Sequence, residues 1–244
     1  VSIVNPAQIK AFARSQLARN KTDQADARLI ALFCSHFHPA RWIPAPAQVR
    51  ELRALVQRLE ALLAMHTQEH NRLESASQTV VADIRAHLVY LDEQIVAVRQ
   101  RIKDHIDRHP DLKNKSELLR SIPGIGPATL ASILAYMPDV SLFTSPKQVA
   151  AWIGLNPRQH QSGSSVRGRT FLAKTGHATL RKALYMPALV ACRYNPVLKA
   201  FYERLVAAGK NRKAAVCAVM RKLVHMIFGV LKHQQPFNPN WQAC

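Results

Sequence analysis

The stretch Gln161-Ser162-Gly163-Ser164-Ser165-Val166-Arg167-Gly168-Arg169 sets three hydroxyls among cations, with Arg158 before it and Lys174 and Arg181 after it. A serine beside several cations is suited to attack a phosphodiester, because the cations offset charge that builds on the transferring phosphoryl group. A serine also needs activation, and no carboxylate lies near this stretch in sequence. On spacing alone the plainer reading is favoured: a phosphate-binding loop whose serines only donate hydrogen bonds. A second stretch, Lys21-Thr22-Asp23-Gln24-Ala25-Asp26-Ala27, spaces two carboxylates three residues apart. That spacing puts Asp23 and Asp26 on one helical face, where they can share a divalent metal. The competing reading makes Asp23 a helix cap, with Asp26 in the first turn against the dipole.

A third stretch binds rather than reacts. Ile122-Pro123-Gly124-Ile125-Gly126-Pro127-Ala128-Thr129 lies between Leu118-Leu119 and Leu130-Ala131 and matches a helix-hairpin-helix. Two glycines permit a tight turn and a close approach to phosphate. The amides that open the next helix then point at the anion, with the helix dipole behind them. Pro123, Gly124, Ile125, Gly126 and Thr129 form the expected duplex contact, with Arg158, Arg167, Arg169, Lys174 and Arg181 as phosphate clamps. A plain helix corner that needs glycine is the alternative.

The charge distribution favours a polyanionic partner. The 244 residues carry a net charge of +19. Residues 112–244 hold 19 basic and only 3 acidic side chains (Glu117, Asp139 and Glu203). Such a half repels itself unless it meets phosphate backbones. The four cysteines are far apart, without a CxxC pair, which suggests neither a zinc site nor a disulfide framework. No signal peptide is visible, and apolar runs such as Leu223–Leu231 are too short to span a bilayer.

Several elements must position these groups. Val1–Val4 reads as a strand, followed by helices at Ala7–Gln16 and Gln24–Ser35, and then a linker at Pro39, Pro44 and Pro46. From Gln48 to His109 apolar residues recur every three or four positions without Gly or Pro, which predicts two long antiparallel helices or one very long one. Pro110 ends this arm. Helices are then expected at Lys115–Ser121, Pro127–Tyr136, Pro146–Ile153, Ala178–Arg193, Pro196–Ala208 and Arg212–Lys232. Asn156–Lys174 has no helical period and reads as a loop or short hairpin.

Taken in order, these motifs resemble the DEDD transposase family of insertion sequences, which also contains the Piv-type DNA invertases. The resemblance runs over nearly the whole chain. Asn5–Gln8, Ala11–Arg14 and Lys21–Ala27 resemble the end of the family's RuvC-like nuclease domain. Ile122–Thr129, Gly154–Pro157, Gln161–Gly163, Lys174–Gly176 and Leu180-Arg181 resemble its C-terminal transposase domain. The resemblance implies that Asp23 and Asp26 are the last pair of a magnesium-binding Asp, Glu, Asp, Asp set. It also implies a serine nucleophile that joins DNA through a phosphoserine bond. Ser162 matches that nucleophile by its place before Gly163, with Ser164 and Ser165 close by. A structured guide RNA, pairing with donor and target DNA, is implied as well. The family's first Asp and its Glu have no counterpart, since no acidic residue precedes Asp23. The chain is therefore expected to be an N-terminally truncated transposase, inactive by itself.

The expected fold is mainly α. A remnant of an RNase H-like (RuvC-like) α/β domain covers residues 1–45, a helical coiled-coil arm 46–111, and an all-α transposase domain 112–244 with its helix-hairpin-helix at 118–136. The expected partners are double-stranded DNA, a guide RNA and further copies of the chain paired through the arm, with Mg²⁺ as cofactor, in a bacterial cytoplasm and without a membrane. The rival reading is a non-catalytic helix-hairpin-helix DNA-binding protein of repair or junction recognition. A covalent protein–DNA adduct separates the two.

Overall fold

The computed structural model of the chain describes residues 1–18, 21–158, 161–162, 166–168, 171–173 and 175–239, with backbone alone for Gln161, Ser162, Val166 and Arg167. It forms two compact units, Val1–Pro46 and Ala47–Cys244.

The first unit is a pair of short helices, α1 (Pro6–Ser15) and α2 (Asp23–Phe37). Asn5 Oδ1 accepts from the Ala7 amide at 2.9 Å, and Pro6 takes the first helical position, where its missing N–H costs nothing. Thr22 Oγ1 caps α2 by accepting from the Ala25 amide at 3.2 Å. Phe12 meets Phe33 edge-on, with ring centroids 5.6 Å apart, and Phe33 lies 4.7 Å from Phe37. The strand expected at Val1–Val4 does not form. A ladder needs a neighbouring strand, and among the described residues the segment is held by Trp42 N donating to Val1 O at 2.9 Å and Ser2 Oγ donating to Pro39 O at 3.0 Å.

The second unit opens with the long apolar stripe. It folds as two antiparallel helices, α3 (Ala47–Leu73) and α4 (Gln78–Arg108). Leu52, Val56, Leu59 and Leu62 bury against the Leu91, Ile95, Val98 and Ile102 face. His66 Nε2 lies 3.3 Å from Asp92 and His87 Nδ1 lies 3.6 Å from Glu69, which fixes the antiparallel register.

Helix α5 (Pro110–Arg120) starts earlier than the expected Lys115, because Pro110 both stops α4 and suits the first turn of a new helix. Then follow α6 (Pro127–Tyr136), a 3-10 turn at Val140–Leu142, and α7 (Pro146–Ile153). The helix expected over Ala178–Arg193 is broken at Leu184 into α8 (Ala178–Ala183) and α9 (Tyr185–Tyr194). Pro187 explains the break, since inside a continuous helix its ring would meet the carbonyl of Ala183. Helices α10 (Pro196–Ala207) and α11 (Arg212–His233) close the unit. By length and composition α11 could cross a membrane. It is instead the central core helix, with Val219, Leu223 and Val224 fully buried.

Candidate functional site

The residues after α7 leave the helical body as a ribbon. β1 (Pro157–Arg158) pairs antiparallel with β4 (Phe171–Leu172), and β2 (Gln161–Ser162) with β3 (Val166–Arg167). Ser162 is opposite Val166 in the second ladder. Pro157 pairs with Leu172, but Gln161 pairs with Arg167, so the returning strand carries one extra residue between the ladders.

The base of the ribbon is tied to the last turn of α7. A helix end leaves four carbonyls without intrahelical partners. Ala150 O accepts from the Leu155 amide at 2.8 Å, and Ala151 O from that of Gly154 at 2.9 Å. The other two are taken by the far side of the ribbon. Trp152 O accepts from the His177 amide at 3.0 Å, and Ile153 O from the Arg181 guanidinium at 2.8 Å. Gly176, at φ +149, approaches so closely that a Cβ there would run into the Trp152 carbonyl oxygen and the Gly154 nitrogen.

His177 completes the attachment. Its Nδ1 caps α8 by accepting from the Leu180 amide at 3.1 Å, which places the proton of the neutral ring on Nε2. The ring stacks on Trp152 (5.1 Å, 20°) and packs against Tyr136 (5.1 Å, 43°). Burial, and then the Arg53 charge, hold the His177 pKa below its ordinary value. The Tyr136 hydroxyl donates to Glu60 at 3.4 Å, and burial followed by the Glu60 charge pushes its pKa up to about 12.

The sequence-predicted residues distribute unevenly over this framework. Arg158 is exposed on β1. Arg181 is half-buried, with its guanidinium on Ile153. Ser164, Ser165, Arg169 and Lys174 lie outside the described residues, as do the side chains of Ser162 and Arg167. In the glycine turn Ile125 and Thr129 point into the core and Pro123 is half-buried. The two glycines there divide the work expected of both. Gly124, at φ +106, faces α9, where a Cβ would sit 2.9 Å from Pro187 O and 3.0 Å from Ala191 Cβ. Gly126 is exposed, with open space at its Cβ position. Asp23 and Asp26 are both exposed in the first turn of α2. Thr22, not Asp23, is the cap, and neither carboxylate has a hydrogen bond or ion pair among the described residues.

Comparison with known proteins places this framework. Residues 1–81 match a family model described as Transposase, of the DEDD type, and residues 116–203 match the Transposase IS116/IS110/IS902 family. The pilin gene-inverting protein of Moraxella bovis is 35% identical over 240 residues, covering 98% of this chain and 74% of that protein. The chain belongs to the IS110 family of transposases. The transposase for insertion sequence element IS1111A of Coxiella burnetii is 25% identical over 272 residues, covering 96% of this chain and 72% of its own length. An IS110 insertion-element protein of Streptomyces coelicolor is 28% identical over 153 residues, or 63% of this chain and 36% of that one. Membership makes the protein a DNA-processing enzyme of insertion sequences.

Each family match takes in one half of the transposase's candidate chemistry. The first contains Asp23 and Asp26, and the second runs from α5 through the glycine turn and the ribbon into α10. Sequence reasoning gave no role to His177, Tyr136, Trp152, Arg53 or Glu60. Their ring contacts join α3, α6, α7 and the start of α8, and no spacing rule links positions so far apart in sequence. The one local signal is Gly176-His177 just before the helix former Ala178, and histidine is not a favoured cap.

Proposed function

We propose that this transposase cleaves and rejoins DNA strands with Ser162 as nucleophile, assisted by Mg²⁺ held in part by Asp23 and Asp26. The observation that supports the reading is the ribbon, in which Ser162 pairs with Val166 and whose two ends are tied to one helix terminus. In the reaction Ser162 Oγ bonds to a backbone phosphorus. The P–O bond to one deoxyribose breaks, and that sugar oxygen leaves as a hydroxyl once it gains a proton. Rejoining reverses the step, with a DNA hydroxyl displacing the serine. Arg158, Arg167, Arg169 and Lys174 are assigned to the phosphate being transferred.

The Asp23 and Asp26 carboxylates suit a hard cation, being unpaired oxygen donors on one face of a helix. Among the described residues no cluster of three potential metal ligands forms, so further ligands must join them. Bound Mg²⁺ would offset charge on the phosphoryl oxygens. The first unit is assigned to a RuvC-like domain on the strength of its family match. The turn at Gly124–Gly126 is read as a helix-hairpin-helix that offers the first amides of α6 to duplex phosphates, with Gly126 as the open approach. Pairing of copies through the α3–α4 arm, a structured guide RNA and action in the bacterial cytoplasm complete the reading.

The deciding experiment is denaturing electrophoresis of a full-length protein that carries the remaining Asp and Glu of the set, with labelled DNA. A covalent adduct that is lost in Ser162→Ala supports the reading. An adduct lost instead in Ser164→Ala or Ser165→Ala moves the nucleophile. No adduct from any full-length protein favours a non-catalytic helix-hairpin-helix DNA-binding protein.

A further inference from the structure

We propose that His177 is a positioning residue for the serine ribbon, and that its ring, held between Tyr136 and Trp152, is the contact through which the α3–α4 hairpin sets the ribbon's pose. The proposal rests on the serine reading above.

The links run in one chain. The returning end of the ribbon is held to α7 by the His177 amide on Trp152 O and the Arg181 guanidinium on Ile153 O. The His177 ring packs on Trp152, the residue whose carbonyl its own amide uses, and on Tyr136 of α6. Tyr136 is in turn bound to α3 on two sides. Its hydroxyl donates to Glu60 at 3.4 Å, and the Arg53 guanidinium stands 5.9 Å from its ring centroid. Arg53 Nε also donates to Ala135 O at 3.0 Å. Glu60 and Arg53 are two turns apart on one face of α3. Close-packed contacts of this kind pass a displacement on instead of absorbing it. A shift of α3 therefore moves Tyr136, and Tyr136 carries the His177 ring and the ribbon base with it.

His177 does two separable jobs here, capping α8 through Nδ1 and bridging two rings. The cap requires the neutral ring, because an imidazolium has no lone pair to accept the Leu180 N–H. The groups that face it are Arg53 and Glu60 from α3, Tyr136 from α6 and Arg181 from α8. Arg53 and Arg181 oppose a proton on the ring and Glu60 favours one, and burial outweighs them all, so the ring stays neutral at and above its ordinary value of 6.5. As pH falls through the lowered value, the proton removes the cap and sets a new cation beside Arg53 and Arg181.

Two substitutions divide these jobs. His177→Asn keeps an oxygen to cap α8 and removes the ring. His177→Phe keeps a ring and removes both the cap and the titration. The rate of adduct formation is measured with the full protein at saturating DNA between about pH 5 and 8, alongside duplex affinity and the unfolding midpoint. His177→Asn is expected to slow the adduct about tenfold, within the loss that a misplaced reacting group produces, with affinity and midpoint unchanged. His177→Phe is expected to keep most of the rate at neutral pH and to lose the fall toward acid. If His177→Asn lowers the midpoint, Tyr136→Phe reads the same link. It keeps the stack, loses the Glu60 bond, and is expected to slow the adduct about threefold, the worth of one hydrogen bond. A wild-type rate in His177→Asn, or in Tyr136→Phe where that variant is the readout, overturns the proposal and leaves the serine reading standing. Equal slowing in His177→Asn and His177→Phe also overturns it, because the ring would then carry nothing. No adduct from the wild-type protein overturns the serine reading and this proposal together.

Discussion

Among its described residues Val1–Pro46 buries two large side chains, Leu29 and Phe33, and leaves Phe37, Trp42 and Ile43 in solvent, whereas Ala47–Cys244 packs α3 to α11 around one continuous apolar core. The candidate chemistry follows the opposite order of regularity. In the weakly packed unit Asp23 and Asp26 stand on a well-formed helix start, held by a local cap. In the well-packed unit Ser162 stands on two ladders of two residues each, which have little stability of their own. A helix start can present carboxylates on local hydrogen bonds alone. A ribbon this short needs the tertiary ties at its base to hold its backbone in place.

The widest break in that comparison comes from removing the reacting groups. Ser162→Ala is expected to abolish the covalent DNA adduct while duplex binding, measured by gel shift, stays near the wild-type value. Asp23→Ala and Asp26→Ala are expected to abolish it as well, without a change in thermal unfolding, because neither carboxylate holds a hydrogen bond in the described structure. A lowered unfolding midpoint in either Asp variant would show that the first unit uses these side chains to fold.

Salt tests the acid-poor part of the second unit next. The excess of positive charge belongs to residues 112–244, so duplex affinity should collapse on the order of 1,000-fold between low and physiological ionic strength, the response of a phosphate-dominated interface. A shallow slope in a titration of dissociation constant against salt would mean that this half reads shape or bases instead.

The glycines sharpen the contrast further, by stability. Gly176→Ala should be the most destabilising, because backbone surrounds the added Cβ. Gly124→Ala should cost about 1–3 kcal/mol, since its positive φ and its contact with α9 both resist a side chain. Gly126→Val should leave the midpoint nearly unchanged and weaken duplex binding about equally across unrelated sequences. Urea unfolding of the three variants gives the order. Equal destabilisation at Gly124 and Gly126 would contradict the division of labour between them.

Periodicity made the helical elements legible. The Leu52 to Ile106 stripe could form only long helices, and the prolines at 6, 127, 146 and 196 all open helices where their rings fit. Proline was misjudged where two roles competed. Pro110 begins a helix as well as ending one, and Pro187 splits a segment whose apolar pattern is otherwise continuous. Val1–Val4 has strand composition, but composition supplies no ladder partner. At the site, residue types and local spacing raised Asp23, Asp26 and the serines at 162, 164 and 165 as candidates, and only the family resemblance favoured Ser162 among the three. The supports of the ribbon were hidden, because Glu60, Tyr136, Trp152 and His177 meet only after α3, α6, α7 and α8 have packed.

The smallest expected effect tests whether the first unit positions its carboxylates through the cap alone. Thr22 Oγ1 accepts from the Ala25 amide at 3.2 Å, and Asp23 and Asp26 occupy the turn which that bond closes. Thr22→Ala removes the acceptor and should cost about 1 kcal/mol, fraying the first turn without touching either carboxylate. Adduct formation should then slow only a few-fold, roughly in step with the fraction of time the turn is open. Higher Mg²⁺ should restore the rate, because a metal that binds the closed turn also stabilises it. Thr22→Ser should behave as wild type, since it keeps the oxygen. If Thr22→Ala proves as damaging as Asp23→Ala, or if Mg²⁺ fails to rescue it, then the carboxylates matter for the helix and not for a metal, and the first unit's share of the chemistry falls away.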